Sequence, residues 1–243
     1  ANVIKRLAAF AFRRAVSDDE FAPYLMLFKK EREKKESFES SLRTVFTALF
    51  SSPHFLYLRE KPGRLDDLAL ANRLSLFLSR TMPERKLLSL AFQGKLTKDP
   101  GALRKETEHL LKHHRFDRFL TDFTESWLDL RDIDFTEPDK KLFPEFDRPL
   151  QLFMVEETEA FLRELIDSNL PITNLVKSEF AMLNERLAEH YEVPGVTGIE
   201  IRKVKLPAGT PRGGFLSQGS VLKVTANGTN TSPVLRGTWV MER

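Results

Sequence analysis

The chain has no cysteine in its 243 residues. Disulfides, thiolate metal sites and covalent haem attachment within the chain itself are therefore excluded. It also lacks any apolar run near the roughly 20 residues that a membrane-spanning helix needs. The most apolar stretch, Leu65 to Leu78, is broken by Asp66, Asp67, Asn72 and Arg73. Strand-like alternation is scarce. There is no glycine-rich phosphate loop ahead of a helix, no nucleophile elbow and no zinc motif. Charge of one sign is short as well, since 38 Lys and Arg stand against 35 Asp and Glu. The one basic cluster, Lys29-Lys30-Glu31-Arg32-Glu33-Lys34-Lys35, has acids mixed into it. That is the pattern of a solvated helix face rather than a phosphate-binding strip, so no nucleic-acid partner is expected.

What is present is ordinary for a globular protein: 41% hydrophobic and 30% charged residues, enough chain for one large core or two modest ones. Apolar residues recur at helical spacing almost throughout, which predicts an all-α, multi-helix array. Val3, Leu7, Phe10 and Ala11 form one stripe, and Phe38, Leu42, Val45, Phe46 and Leu49 another. Ser17-Asp18-Asp19-Glu20 is a capping-box pattern that opens a second helix, and Ser51-Ser52-Pro53 stops the third. Beyond a loop at Lys61-Pro62-Gly63, helices are predicted over 66–80, 84–93, 101–113, 116–130 and 150–166. The 66–80 helix is apolar nearly all round and is expected to be central. Two short helices around 172–177 and 184–190 follow. Glu200 to Leu206 alternates enough to be a short extended piece, a Gly-rich segment runs from Gly209 to Gly219, and closing helices are predicted over 217–224 and 233–242. This divides into a three-helix domain over 1–60, a central helical domain over 64–206, and the start of a further domain over 207–243. Both ends fall inside helical patterns, so the chain reads as a fragment.

The informative residues are polar ones that helical geometry turns inward. On the 150–166 helix, Glu157 falls between Met154 and Phe161, with Thr158 close to the same face, whereas Glu156 and Glu159 point away. Asn72 and Arg73 sit in the most apolar helix, and Arg14 shares a side with Val3, Leu7 and Phe10. Together they predict a buried polar network of Arg14, Asn72, Arg73, Glu157 and Thr158, because a lone buried charge is costly. It is read first as an Arg–Glu pair fixing how helices cross, and second as a raised-pKa general acid/base at Glu157. His109 and His113, four apart with His114 adjacent, have a metal-compatible spacing. Lys105, Lys112 and Arg115 surround them and no carboxylate is placed to orient the rings, so they read as a solvated helix end and no metal is assigned. His190 ends a helix, where the dipole favours a charged imidazole cap; a ligand contact or catalytic role is the alternative. Arg212-Gly213-Gly214 and the run from Thr231 to Gly237 pair arginines with glycines. Such loops can cap the protein's own helices or hold an anionic group such as a haem propionate. Asn227-Gly228-Thr229 matches a glycosylation sequon, a pattern common by chance.

These segments, taken in order, resemble a known set. Ala11-Phe12-Arg13-Arg14 and Ser51-Ser52-Pro53-His54-Phe55-Leu56-Tyr57 resemble the "AFRRP … SPxFLY" domain of large planctomycete cytochrome-c-associated proteins of unknown function. Asn72-Arg73-Leu74-Ser75-Leu76-Phe77-Leu78 resembles their "SRLSYFLW" helix. Phe123-Thr124-Glu125-Ser126-Trp127-Leu128, Phe143-Pro144-Glu145-Phe146-Asp147, Glu157-Thr158 and the run from Leu183 to Tyr191 follow in family order. Arg212-Gly213-Gly214-Phe215-Leu216-Ser217-Gln218 and Thr231-Ser232-Pro233-Val234-Leu235-Arg236-Gly237 are similar to "RGGLLTQ" and "TSPVxRG". The chain departs at Ala15 (usually proline), Leu76 (an aromatic) and Ser79 (tryptophan). The resemblance implies an exported protein of the periplasm or cell envelope, with haem c carried by a covalently linked module outside this segment and no cofactor inside it. It implies no catalytic residues. A helical scaffold or redox-partner region for envelope electron transfer is expected, with His190, Arg212 and Arg236 near the haem module. The alternatives are an oxidoreductase or degradative enzyme acting on an envelope or polysaccharide-derived substrate, with Glu157 or His190 in a cleft, and a purely structural interaction module.

Overall fold

The computed structural model describes residues 2–58, 60 and 62–243. The fold is mostly helical, with one small antiparallel strand pair among the described residues. Two compact units divide the chain, residues 1–115 and 116–243.

In the first unit the helices are α1 (Asn2–Ala11), α2 (Asp18–Glu33), α3 (Phe38–Phe50), α4 (Pro53–Leu56), α5 (Asp67–Ser79), α6 (Arg85–Phe92) and α7 (Pro100–Lys112). Local chemistry sets several of these limits. Ser17 and Glu20 close the predicted capping box at the start of α2, and Ser37 caps α3. Proline at Pro53 and Pro100 occupies the first turn of α4 and α7, where a missing N–H costs nothing. Ile4, Ala8, Phe12, Val45 and Leu49 join α1–α3 into one core. Helix α5 differs from its expectation. It buries a small-residue face of Ala69, Ala71, Asn72, Ser75, Leu78 and Ser79, while Phe77 is 62% exposed. Small side chains let the neighbouring α6 and α7 approach closely, so the larger apolar residues are not all needed inward. Asp67 pins the loop after α6, accepting from the Leu96 and Thr97 amides at 2.6 and 3.0 Å and from the Thr97 hydroxyl at 2.7 Å. Of the predicted 61–63 loop, Pro62 and Gly63 form a bend, and Lys61 lies outside the described residues.

The second unit contains α8 (Asp117–Trp127), α9 (Arg148–Asp167), β1 (Phe180–Leu183), α10 (Glu185–His190), β2 (Arg202–Lys205), α11 (Gly219–Val224) and α12 (Pro233–Glu242). Helix α9 is its axis. Asp147 caps it through the Leu150 amide, and its stripe of Leu150, Met154, Phe161 and Leu165 is buried against α8, β1, α10 and α11. Phe161 stacks on Phe180 at 5.0 Å between centroids and tilts against Phe215 at 5.4 Å. The extended piece expected near 200–206 is β2, which pairs antiparallel with β1 from Phe180↔Lys205 to Leu183↔Arg202. Strand β1 escapes a periodicity test because all four of its residues are buried, leaving no polar alternation to read. The segment predicted as a helix around 172–177 is one 3-10 turn, Ile172–Leu175.

Candidate functional site

Glu157 lies at the centre of α9 and is 1% exposed. The partner its burial demands is a tyrosine rather than an arginine. The Tyr191 hydroxyl donates to Glu157 Oε2 at 2.5 Å and accepts from the Gly219 amide at 2.6 Å. Burial raises the Glu157 pKa to about 8, against the opposing effects of Tyr191, the nearby Arg212 charge and the Gly219 amide. Burial also raises the Tyr191 pKa, and the Glu157 charge adds to that. Beside them Thr158 Oγ1 meets Gln218 Oε1 at 2.7 Å and Ser220 Oγ at 2.6 Å, joining α9 to the start of α11.

The Gly-rich loop brings Arg212 to this centre. Gly213 has φ +131° and Gly214 φ +84°, both in the region that favours glycine. A Cβ at Gly213 would lie 2.2 Å from the Ser178 carbonyl oxygen, and one at Gly214 2.6 Å from that of Val176. Only bare backbone fits so close to the 175–178 segment. The guanidinium of Arg212 then sits 3.9 Å from the Tyr191 ring centroid and donates to the Ser217 carbonyl at 2.8 Å. Gly219 is equally constrained, since a Cβ there would meet Met154 and the Tyr191 hydroxyl at 2.8 Å.

On the other side of Arg212 and Gly219 opens a cavity of about 320 Å³. Its wall is mainly apolar, with Phe143, Phe146 and Met154, and His190, Arg212, Lys223, Asn230 and Arg236 carry its side-chain nitrogens. The three residues assigned from sequence to one surface, His190, Arg212 and Arg236, do come together here. Arg236 is held by Thr225 Oγ1 at 3.2 Å and Thr231 Oγ1 at 2.7 Å. His190 departs from the charged helix cap. Burial lowers its pKa, with Arg212 acting in the same direction and Glu145 opposing, so the site favours the uncharged ring. Lys223 was not foreseen. It is 8% exposed and donates to the carbonyls of Ile133 and Thr136. Glu145 supplies the one carboxylate on the wall, and Glu157 does not line it. Glu157 borders a void of about 10 Å³, roughly the room for one water.

The predicted five-residue network divides. Glu157 and Thr158 belong to the second unit, each with the partners above. Arg14, Asn72 and Arg73 belong to the first. Arg14 is bidentate to Glu20 at 2.7 and 2.9 Å and its Nη2 lies 3.3 Å from His54 Nδ1. Arg73 is on the exposed side of α5 and pairs with Glu60, so it is not a buried group. Asn72 is buried, and its Oδ1 has no hydrogen-bond partner among the described residues. Glu159, expected to point outward, is drawn toward α8 by a hydrogen bond with Thr121, and burial raises its pKa. A carboxylate does face the histidines: Glu84 lies 3.7 Å from His109 Nε2 and 3.6 Å from His113 Nε2. Tyr191, Gln218 and Lys223 were missed because each sits in a short segment whose inward face is fixed by the loop fold rather than by periodicity.

The fold and site thus define a mostly helical protein with a largely apolar recess whose wall carries Arg212, Lys223 and Arg236. The chain belongs to the planctomycete cytochrome-c-associated proteins of unknown function. Residues 65–193 match PSD4, Protein of unknown function (DUF1592). Residues 1–60 match PSD5, Protein of unknown function (DUF1595), and residues 212–243 match PSCyt3, Protein of unknown function (DUF1588). Neither a curated protein nor a solved structure matches the chain. The cavity's donor set fits contact with the edge of a haem group: guanidinium donors for an acidic substituent, and aromatic walls for an apolar body. With no cysteine, the chain has nothing to attach such a group covalently.

Proposed function

We propose that this chain is the helical scaffold onto which a c-type haem module of an exported, envelope electron-transfer protein docks, with the 320 Å³ cavity as the contact. What carries the reading is the convergence of His190, Arg212 and Arg236 on one mainly apolar recess. Arg212 and Arg236 would meet acidic groups of the docked module, and a neutral His190 would offer either a donor or an acceptor without adding charge. Haem supplies the electron-carrying chemistry; the chain's residues orient it and set the local field. Cations near a redox centre favour its reduced form, so removing one lowers the potential.

The test uses the parent protein with its haem module. Arg236→Gln and Arg212→Gln are expected to lower the haem midpoint potential, while the circular dichroism melt shows that the fold is retained. Unchanged potential and unchanged haem absorption in both folded variants would overturn the docking assignment. The enzymatic alternative keeps one support, the His190 imidazole, its pKa lowered by burial, in a cavity beside two guanidinium groups. Glu157, walled off behind Tyr191, is poorly placed to act on anything bound there.

A further inference from the structure

Glu157 does not reach the 320 Å³ cavity, yet two groups connect it to the cavity wall. The Tyr191 hydroxyl stands between the Glu157 carboxyl and the Gly219 amide, at 2.5 and 2.6 Å. The Tyr191 ring carries the Arg212 guanidinium 3.9 Å from its centroid. Gly219 and Arg212 both line the cavity, and Arg212 also borders the small void beside Glu157. One arginine therefore faces the buried acid on one side and the cavity on the other.

Tyr191 and Arg212 are the titratable groups that act on Glu157. Charges on the other elements packed against α9 are engaged elsewhere. On α8, Asp117 pairs with Arg163, and both Asp117 and Glu125 act on Glu159. On α10, Glu185 accepts from the Gly198 amide and Arg186 pairs with Asp147 and Glu189, while His190 lies on the cavity wall. On α11, Lys223 donates to the Ile133 and Thr136 carbonyls, and strand β1 carries no charge at all. Ionisation of Glu157 thus places one negative charge behind Arg212, where burial leaves it little screened by water. Burial also moves that ionisation to about pH 8, close to neutrality.

We propose that Glu157 is a proton-linked control of the cavity, acting through Tyr191 and Arg212. In its acid form it leaves the Arg212 charge to an acidic group of the docked module; as a carboxylate it offsets that charge and weakens the contact. The control rests on the docking reading above. The proton exchanged is that of Glu157 alone, given to and taken from solvent, and by reciprocity docking of an acidic group favours its uptake.

Two measurements test this. In this chain alone, ¹³C NMR of labelled glutamate carboxyls is expected to show Glu157 titrating near pH 8, and in Arg212→Gln roughly one pH unit higher. In the parent protein with its haem module, the haem midpoint potential is expected to step down as pH rises through the Glu157 midpoint. Glu157→Gln is expected to keep the low-pH potential and remove the step. Tyr191→Phe keeps the ring beside Arg212 but removes a donor to the carboxylate, so it is expected to move the step to higher pH; it also carries the test if Glu157→Gln does not fold. A Glu157 titration indifferent to Arg212→Gln would overturn the control. So would a step that persists in folded Glu157→Gln while Arg212→Gln still lowers the potential. A potential indifferent to Arg212→Gln would instead overturn the docking reading, and the control with it, even where the titration of the chain alone behaves as expected.

Discussion

The ionisation of Glu157 is strongly tied to folding. Its carboxyl is held to about 8 by burial, far above an unfolded value near 4.5. Between those two pH values the unfolded chain releases a proton that the folded chain keeps, so stability falls as pH rises. The contribution is fully present below about pH 4.5 and lost by about pH 8. At roughly 1.4 kcal/mol per pH unit, the whole difference approaches 5 kcal/mol. Glu157→Gln keeps an acceptor for the Tyr191 hydroxyl and removes the titration. It is expected to match the parent chain near pH 5, exceed it by about 3 kcal/mol at pH 7, and flatten the profile between. Urea unfolding at a series of pH values reads this directly; a slope unchanged by the substitution would show that another group titrates. Sequence periodicity identified Glu157 as inward, but not that Tyr191, 34 positions later, would be its partner.

At the scale of elements, the Gly-rich loop and α9 depend on each other. Gly213 cannot carry a side chain beside the Ser178 carbonyl, so Gly213→Ala is expected to cost about 2–4 kcal/mol and to displace Arg212 from Tyr191. Chemical denaturation gives the first quantity, and tyrosine fluorescence the second. Phe161, fully buried between Phe180 and Phe215, is expected to lose about 3–5 kcal/mol on truncation to Ala. A loss below about 1 kcal/mol would mean that α9 does not organise this unit. Helix limits such as Ser17 for α2 and Pro233 for α12 were legible because caps and prolines act within one turn. Strand β1 was not, since its identity comes from pairing with β2 across an intervening helix.

Taken as a whole, the chain has two compact units, and an arginine lines a cavity in each. Arg13 and Arg212 have little in common in sequence beyond a following or preceding loop, yet both end at a cavity wall. Arg212→Gln is read in the haem potential of the parent protein. Among the described residues no helix is long and apolar enough to cross a membrane.

The sequence by itself determined the helical class, most helix limits, the family, and that Glu157, Thr158 and Asn72 are inward. Those follow from periodicity, capping and ordered motifs, all of which act over a few residues. Which polar groups meet was decided only by the tertiary structure. Arg73 points out although its helix is apolar, Arg14 pairs with Glu20, Glu157 pairs with Tyr191, and Lys223 is buried by carbonyls far away in the chain. The reason is physical: a helical wheel tells which side of a helix is covered, but the partner on that side comes from packing between distant segments.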